Sequence, residues 1–154
     1  QIMEASLLAG LAIASTKTTL SHSISYPITL RYGVLHGLAC AFSISQVLRF
    51  NAETGEGQLQ EAVKRLGFDT ADSLACRLDE ILYGTGALEQ LASQIPSKSD
   101  VLSLAARAIT PGRADNNPRL ATQEDIESIM VAAYDRTTQA ATKPESRQGV
   151  SGRR

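Results

Sequence analysis

At 154 residues and 16.4 kDa, the chain has room for one domain. The chain contains fifteen Lys and Arg residues and sixteen Asp and Glu residues, which gives a formal charge of −1. It therefore lacks the basic excess that is typical of nucleic-acid-binding proteins. Two cysteines are too few for a disulfide scaffold, which favours reduced thiols and a cytoplasmic location.

Neither a membrane span nor a signal peptide is predicted. The most apolar stretch, residues 5–14, is shorter than the ~20 residues of a spanning helix, and no basic segment precedes it. The chain opens directly in an Ala- and Leu-rich pattern, which is typical of the interior of a longer protein. We therefore expect a fragment or a separated domain.

The first third of the chain predicts two buried helices. Residues 3–32 are apolar nearly all round, and we expect one helix that bends at Pro27 and ends at Gly33. The apolar run at 34–50 is long enough for a second helix rather than a strand. Residues 51–57 contain two glycines and predict a loop.

The remainder of the chain predicts shorter amphipathic helices, at 59–66, 71–82, 87–95, 101–109 and 126–134. Thr122 and Asp125 form a capping-box-like start for the last of these helices. Residues 111–120 predict a loop, and the polar residues 137–154 predict a disordered tail. The fold class is all-α, a helical bundle over residues 1–136.

The two histidines of the chain, His22 and His36, are the candidate metal ligands. A helical hairpin bent between them can bring both imidazoles to one point, and neutral imidazole is a common metal ligand. His36 opens its predicted helix, where the imidazolium form is disfavoured. The spacing alone leaves satisfied or exposed histidines as the alternative, because a complete site needs three or four ligands and no carboxylate is close in sequence.

Several segments in order resemble the iron-containing (group III) alcohol dehydrogenase family. They are residues 20–27 (LSHSISYP), 32–39 (YGVLHGLA), 47–51 (VLRFN), 116–119 (NNPR), 122–126 (TQEDI) and 132–134 (AAY). The first three resemble the family's metal-binding helices, and the others resemble its C-terminal ending. The ordered match is more specific than any single motif.

The resemblance implies that His22 and His36 hold a metal, with Fe²⁺ the family's usual ion and Zn²⁺ the alternative. In this family an aspartate, another histidine and an N-terminal domain that binds NAD(P) lie upstream. No G-x-G-x-x-G turn occurs in this chain. We therefore expect the helical C-terminal half of a two-domain reductase that is inactive alone, with a small aldehyde or alcohol as substrate.

Tyr26 stands where many members of the family carry another histidine. At a spacing of four residues it shares the helical face of His22, which makes it a candidate catalytic residue lining the same cavity. A core aromatic residue with a satisfied hydroxyl is an equal alternative.

A polar face is also predicted on the first helix. Ser15, Thr18, Thr19 and Ser25 share the face of His22 there, and unpaired hydroxyls in a dry core are costly. Residues 16–19 (TKTT) and 25–27 (SYP) resemble the subgroup of the family that reduces phosphonoacetaldehyde. Lys17 points away from His22, and Arg31 is better explained as a solvated arginine than as a phosphonate-binding cation.

Other reactive side chains have simpler interpretations. Cys40, four residues after His36, is a thiolate ligand or, the favoured reading, a small core residue. Cys76 lies on a predicted amphipathic helix, and no pattern around it indicates a functional role. A solvated charged face is predicted for Asp69, Asp72, Asp79 and Glu80.

The family's mechanism moves a hydride between NAD(P) and a carbonyl whose oxygen the metal polarises. The competing hypothesis is a non-catalytic helical binding or scaffold module, in which the histidines would point apart. Glycerol dehydrogenases and dehydroquinate synthases share the two-domain plan but rank lower, because they usually differ around the second histidine. An apolar helix left uncovered predicts a homo-oligomer.

Overall fold

The computed structural model describes residues 1–54, 57–109 and 114–142, and within them the chain folds into nine α-helices without a β-strand. The helices are α1 (Ile2–Ser15), α2 (Leu20–Tyr32), α3 (His36–Phe42), α4 (Ile44–Ala52), α5 (Gly57–Arg65), α6 (Ala71–Gly84), α7 (Ala87–Gln94), α8 (Lys98–Ala108) and α9 (Gln123–Thr142), with one 3-10 turn at Ala114–Asn116. The predicted all-α class is confirmed. No described helix is both long and apolar enough to cross a membrane.

The core is organised around α2. Leu20, Ile24 and Ile28 are completely buried, and their spacing of four residues places them on one face of this helix. The neighbouring helices α3 and α8 pack against α2, and α9 packs against α7 and α8. Phe42 of α3 and Met130 of α9 fill the same core. Each fully buried side chain of this size contributes about 1.5–3 kcal/mol, so the helix that carries His22 is firmly anchored.

The predicted single helix over 3–32 is wrong, because the chain breaks between α1 and α2. Thr16 has an extended backbone, with φ −130° and ψ 180°, and its hydroxyl donates a hydrogen bond to the Ala12 carbonyl at 2.8 Å. Thr19, which precedes α2, is extended as well. Three threonines in this segment explain the break, since threonine is stiff at χ1 and competes for backbone hydrogen bonds.

The prediction that this whole segment is buried is also wrong for its first half. No residue of α1 is buried, and Leu7, Leu8 and Leu11 are 57–63% exposed. The apolar pattern is therefore real, but α1 has no covering partner within the described residues.

The second predicted helix, over 34–50, is also divided. The chain leaves α2 through Gly33, whose φ of +68° is the left-handed conformation that terminates helices, as predicted. It enters α3 at His36 and breaks again at Ser43, where φ is −113° and ψ is 3°. The short helices predicted after residue 57 are present as α5 to α8, with ends shifted by a few residues.

The last helix is longer than predicted. The Thr122 hydroxyl accepts a hydrogen bond from the Asp125 amide at 3.1 Å, and the Asp125 carboxylate accepts one from the Thr122 amide at 2.9 Å, which confirms the capping box. The predicted tail at 137–154 is wrong for its first six residues, because α9 continues through Thr142. Thr137 is completely buried, so packing against the core, rather than composition, determines that residues 137–142 are helical. The rest of the predicted tail, 143–154, and part of the predicted loop, 111–113, lie outside the described residues.

Candidate metal centre

The turn between α2 and α3 brings the two histidines together. His22 lies on α2, and His36 is the first residue of α3, after the reversal at Gly33. The centroids of the two imidazole rings are 5.3 Å apart, and the ring planes meet at 67°. Their closeness is the arrangement that the bent hairpin predicted, and the opposite of the divergence expected for a scaffold module.

A third donor lies beside the histidine pair. Cys40 follows His36 by one turn of α3, and its Sγ lies 3.7 Å from the His36 Nε2. One ligand atom each from His22, His36 and Cys40 all lie within 4.8 Å of one another. In the part of the chain that the structure describes, this is the one group of at least three potential metal ligands, and it contains no carboxylate.

The cluster sits at the rim of the fold rather than in its core. His36 is exposed, whereas His22 and Cys40 are half-buried. Burial raises the pKa of the Cys40 thiol, and a side-chain hydrogen bond with Ser25 opposes that effect. Ser25 is itself buried and donates to the His22 carbonyl at 2.7 Å. The open side leaves room for further ligands and for a substrate.

Tyr26 lies next to the same cluster. Its ring centroid is 5.5 Å from that of His36, with an angle of 39° between the planes. The ring is half-buried, so it is neither a core aromatic nor fully in solvent. The shared face with His22 on α2 therefore brings Tyr26 to the cluster that contains both histidines.

The predicted hydroxyl face does not form. Because the chain breaks at 16–19, Ser15, Thr18 and Thr19 do not lie within the helix of His22, whereas Ser25 on α2 donates to the His22 carbonyl. Lys17 and Arg31 are both exposed.

The chemistry of the donor set fits a divalent transition metal. Imidazole nitrogens suit Fe²⁺ and Zn²⁺, and sulfur is accepted by both ions. A hard ion such as Mg²⁺ prefers oxygen ligands, which this cluster does not offer among the described residues.

The family model for the iron-containing alcohol dehydrogenases, C-terminal part, matches residues 1–134. The chain belongs to this family. The match covers both histidines and all of the segments that carry the sequence resemblance.

Similar proteins include reductases and dehydrogenases of small molecules. The phosphonoacetaldehyde reductase of Streptomyces viridochromogenes is 31% identical, over 79% of this chain and 33% of the relative. The lactaldehyde reductase of Escherichia coli K12 is 27% identical, over 82% and 35%. The 1,3-propanediol dehydrogenase of Klebsiella pneumoniae is 23% identical, over 84% and 36%. The chain thus spans about a third of the length of these relatives. No solved structure gives a significant match.

An arginine that the sequence did not reveal, with 11% of its side chain exposed, supports the helix that carries His36 and Cys40. Arg136 of α9 donates to the carbonyls of Ala41, at 3.2 Å, and Phe42, at 2.6 Å, where α3 ends. The same guanidinium bonds Ser45 and the carboxylate of Asp79. Burial lowers the pKa of Arg136, and the carboxylate opposes that effect. The predicted solvated role of Asp79 is wrong, because its side chain is 25% exposed and paired.

Two of the segments that carry the family resemblance contact each other. The side-chain amides of Asn51 and Asn117 are mutually hydrogen-bonded, at 3.2 Å in one direction and 2.5 Å in the other. The Arg119 guanidinium lies 3.9 Å from the centroid of the Phe50 ring and donates to the Phe50 carbonyl at 3.3 Å. The 47–51 and 116–119 segments therefore join the end of α4 to the loop before α9.

Proposed function

We propose that this chain forms the metal-binding half of an NAD(P)-linked alcohol dehydrogenase or aldehyde reductase. The observation that supports the proposal best is the 5.3 Å separation of the His22 and His36 rings in a chain of the iron-containing alcohol dehydrogenase family. A scaffold module has no need for paired imidazoles at an open rim, so we rank it second.

His22 and His36 would hold Fe²⁺, with Zn²⁺ as the alternative ion. When bound, a divalent ion supplies Lewis-acid chemistry that polarises a carbonyl oxygen and stabilises the negative charge that develops on it. The histidines contribute by fixing the position of the ion from two anchored helices. The exposed side of His36 leaves the approach to the ion open.

Tyr26 is the residue that we propose to contact the substrate. Its half-buried ring adjoins His36. From this position the phenol hydroxyl can donate a hydrogen bond to the oxygen of an aldehyde and orient it. Its role is to position the substrate and to favour the charged oxygen, as oxyanion-binding donors do in other enzymes.

The nucleotide NAD(P) would bind mainly to an N-terminal domain of the same protein, with the reaction in the cleft between the two domains. A small aldehyde or alcohol is the proposed substrate. Phosphonoacetaldehyde is the first compound to test, because a reductase of that compound is 31% identical to this chain. Both cysteines are free thiols, which supports a cytoplasmic location.

The test is an assay of NADH and NADPH oxidation by the metal-loaded two-domain protein, with phosphonoacetaldehyde, lactaldehyde and propanal as substrates. We expect His22→Ala and His36→Ala to abolish turnover, and Tyr26→Phe to lower kcat by about 10²-fold, the loss typical of one oxyanion donor. The matched control is Tyr83→Phe, an exposed tyrosine on α6. Unchanged turnover in both histidine variants would contradict the proposal.

A further inference from the structure

Cys40 lies beside the proposed metal position, although the ion does not need it as a ligand. Its Sγ lies 3.7 Å from the His36 Nε2, and one donor atom each from His22, His36 and Cys40 all lie within 4.8 Å of one another. The family resemblance implies that an aspartate and another histidine upstream complete the ligand set. Four protein ligands and a substrate oxygen then fill the coordination positions, so the sulfur is left outside them.

The contact between Cys40 and His36 limits how far the sulfur can lie from the substrate. If an ion binds the His36 Nε2 at about 2.0–2.1 Å, a sulfur 3.7 Å from that nitrogen lies within roughly 6 Å of the ion, whatever the angle. An aldehyde oxygen on the ion brings the carbonyl carbon and the carbon next to it into the same range. Tyr26, the residue proposed to contact the substrate, adjoins the same His36 ring.

We propose that Cys40 is a specificity-determining residue, whose side chain lines the substrate site at the carbon next to the carbonyl. The inference rests on the proposed function, in which His22 and His36 hold the ion that binds the aldehyde oxygen. A thiol behaves as a small hydrophobic group, so it fits a CH₂ group at this carbon and leaves little room for a branch. The favoured substrates are therefore aldehydes that are unbranched there. Phosphonoacetaldehyde has a CH₂ group at this carbon, whereas lactaldehyde carries a hydroxyl and a methyl group.

A purely structural role for Cys40 is the alternative, because its thiol also interacts with Ser25 of α2. The burial of α3 favours the substrate contact. Ala39 and Phe42 on the same helix are completely buried, whereas Cys40 is half-buried. The Cys40 sulfur also lies against the exposed imidazole of His36, which is at the open side of the cluster.

The first test compares propanal with 2-methylpropanal in the metal-loaded two-domain protein, which we expect to prefer propanal. Cys40→Ala should raise the relative kcat/KM for 2-methylpropanal by about tenfold, and Cys40→Val should lower it by about tenfold, the smaller effect of one methylene in an apolar pocket. The matched control, Cys76→Ala at an exposed position of α6, should leave the ratio unchanged. A preference for 2-methylpropanal in the unaltered protein, or an unchanged ratio in both Cys40 variants, would overturn the proposal.

The second readout does not depend on turnover. The alcohol 1-propanol is added with the reduced nucleotide, with which it cannot react, and alkylation of both thiols by iodoacetamide is mapped by mass spectrometry. At about ten times its dissociation constant, 1-propanol should slow the alkylation of Cys40 by about tenfold, because it covers the thiol, and should not change that of Cys76. Equal alkylation of Cys40 with and without 1-propanol would also overturn the substrate contact.

The outcomes separate this contact from the function that it extends. If the protein reduces propanal, His22→Ala abolishes that turnover, and neither Cys40 readout changes, the substrate contact is overturned and the proposed function stands. If Cys40→Ala is folded by circular dichroism but has lost its metal content, the sulfur is a ligand and the substrate contact is again overturned. If the metal-loaded protein reduces neither aldehyde, the substrate contact and the proposed function are both overturned.

Discussion

Replacement of Arg136 by methionine tests how the fold supports the helix that carries His36. The guanidinium satisfies two carbonyls at the end of α3 and pairs with Asp79, and its side chain is only 11% exposed. Methionine fills a similar volume but donates no hydrogen bond, so the Asp79 carboxylate and both carbonyls lose the donors that Arg136 supplies.

The expected loss follows from how deeply the pair is buried. Breaking a fully buried ion pair costs about 3–5 kcal/mol. Here Asp79 is 25% exposed and keeps Arg49 at 3.4 Å, so we expect Arg136→Met to lower the free energy of unfolding by about 2–3 kcal/mol. The pair Arg77–Glu80, with side chains 57% and 66% exposed, is the matched control, and Arg77→Met should cost less than about 1 kcal/mol.

The assay is urea unfolding followed by far-ultraviolet circular dichroism, in which a lower midpoint with an unchanged slope reports a loss of stability. The double variant Arg136→Met/Asp79→Asn should recover part of the loss, because it no longer leaves a largely buried carboxylate without its ion pair to Arg136. A stability of Arg136→Met within about 0.5 kcal/mol of the unaltered chain, the range of ordinary surface changes, would refute the reasoning.

Three further predictions follow from the fold. Gly33→Ala should cost about 1–2 kcal/mol in urea unfolding because φ is +68°, whereas Gly37→Ala inside α3 should be neutral or stabilising, since both added methyl groups meet open space; equal effects would contradict this. Hydrogen bonds from the Thr122 amide and hydroxyl lower the pKa of Asp125, so their stabilisation is complete above about pH 4 and is lost as the pH falls through the lowered folded-state value. The unaltered chain should therefore lose more stability between pH 5 and pH 2 than Asp125→Asn, and parallel acid profiles would count against the cap. Leu7→Glu should reduce self-association through exposed α1 in light scattering, and a strictly monomeric unaltered chain at high concentration would exclude that association.

The sequence revealed the parts of this molecule that depend on local pattern. Gly33 predicted the end of α2, and Thr122 with Asp125 predicted the start of α9. These features depend on residues close in the chain, and their stereochemistry is the same in any fold. The spacing of His22 and His36 predicted their convergence for the same reason, once a reversal lay between them.

Features that depend on distant residues were missed. The helix breaks at Ser43, next to two carbonyls that accept hydrogen bonds from Arg136. Arg136 is more than ninety residues away in the chain, so no local pattern predicts this contact. The polar composition of residues 137–154 predicted a disordered tail, but Thr137 lies in α9 and is completely buried. The apolar pattern of α1 predicted a buried helix, but no residue of α1 is buried in the structure. An apolar pattern does not identify the surface that covers a helix.

The most direct test is calorimetric titration of Zn²⁺ into the two-domain protein and into its double variant His22→Ala/His36→Ala, which removes both histidines of this chain. Circular dichroism first confirms that the variant is folded, as expected for changes at a half-buried and an exposed position. The account predicts one ion bound per unaltered chain and no saturable binding to the variant. Equal affinity and stoichiometry in the two proteins would contradict the claim that these imidazoles hold a shared metal ion.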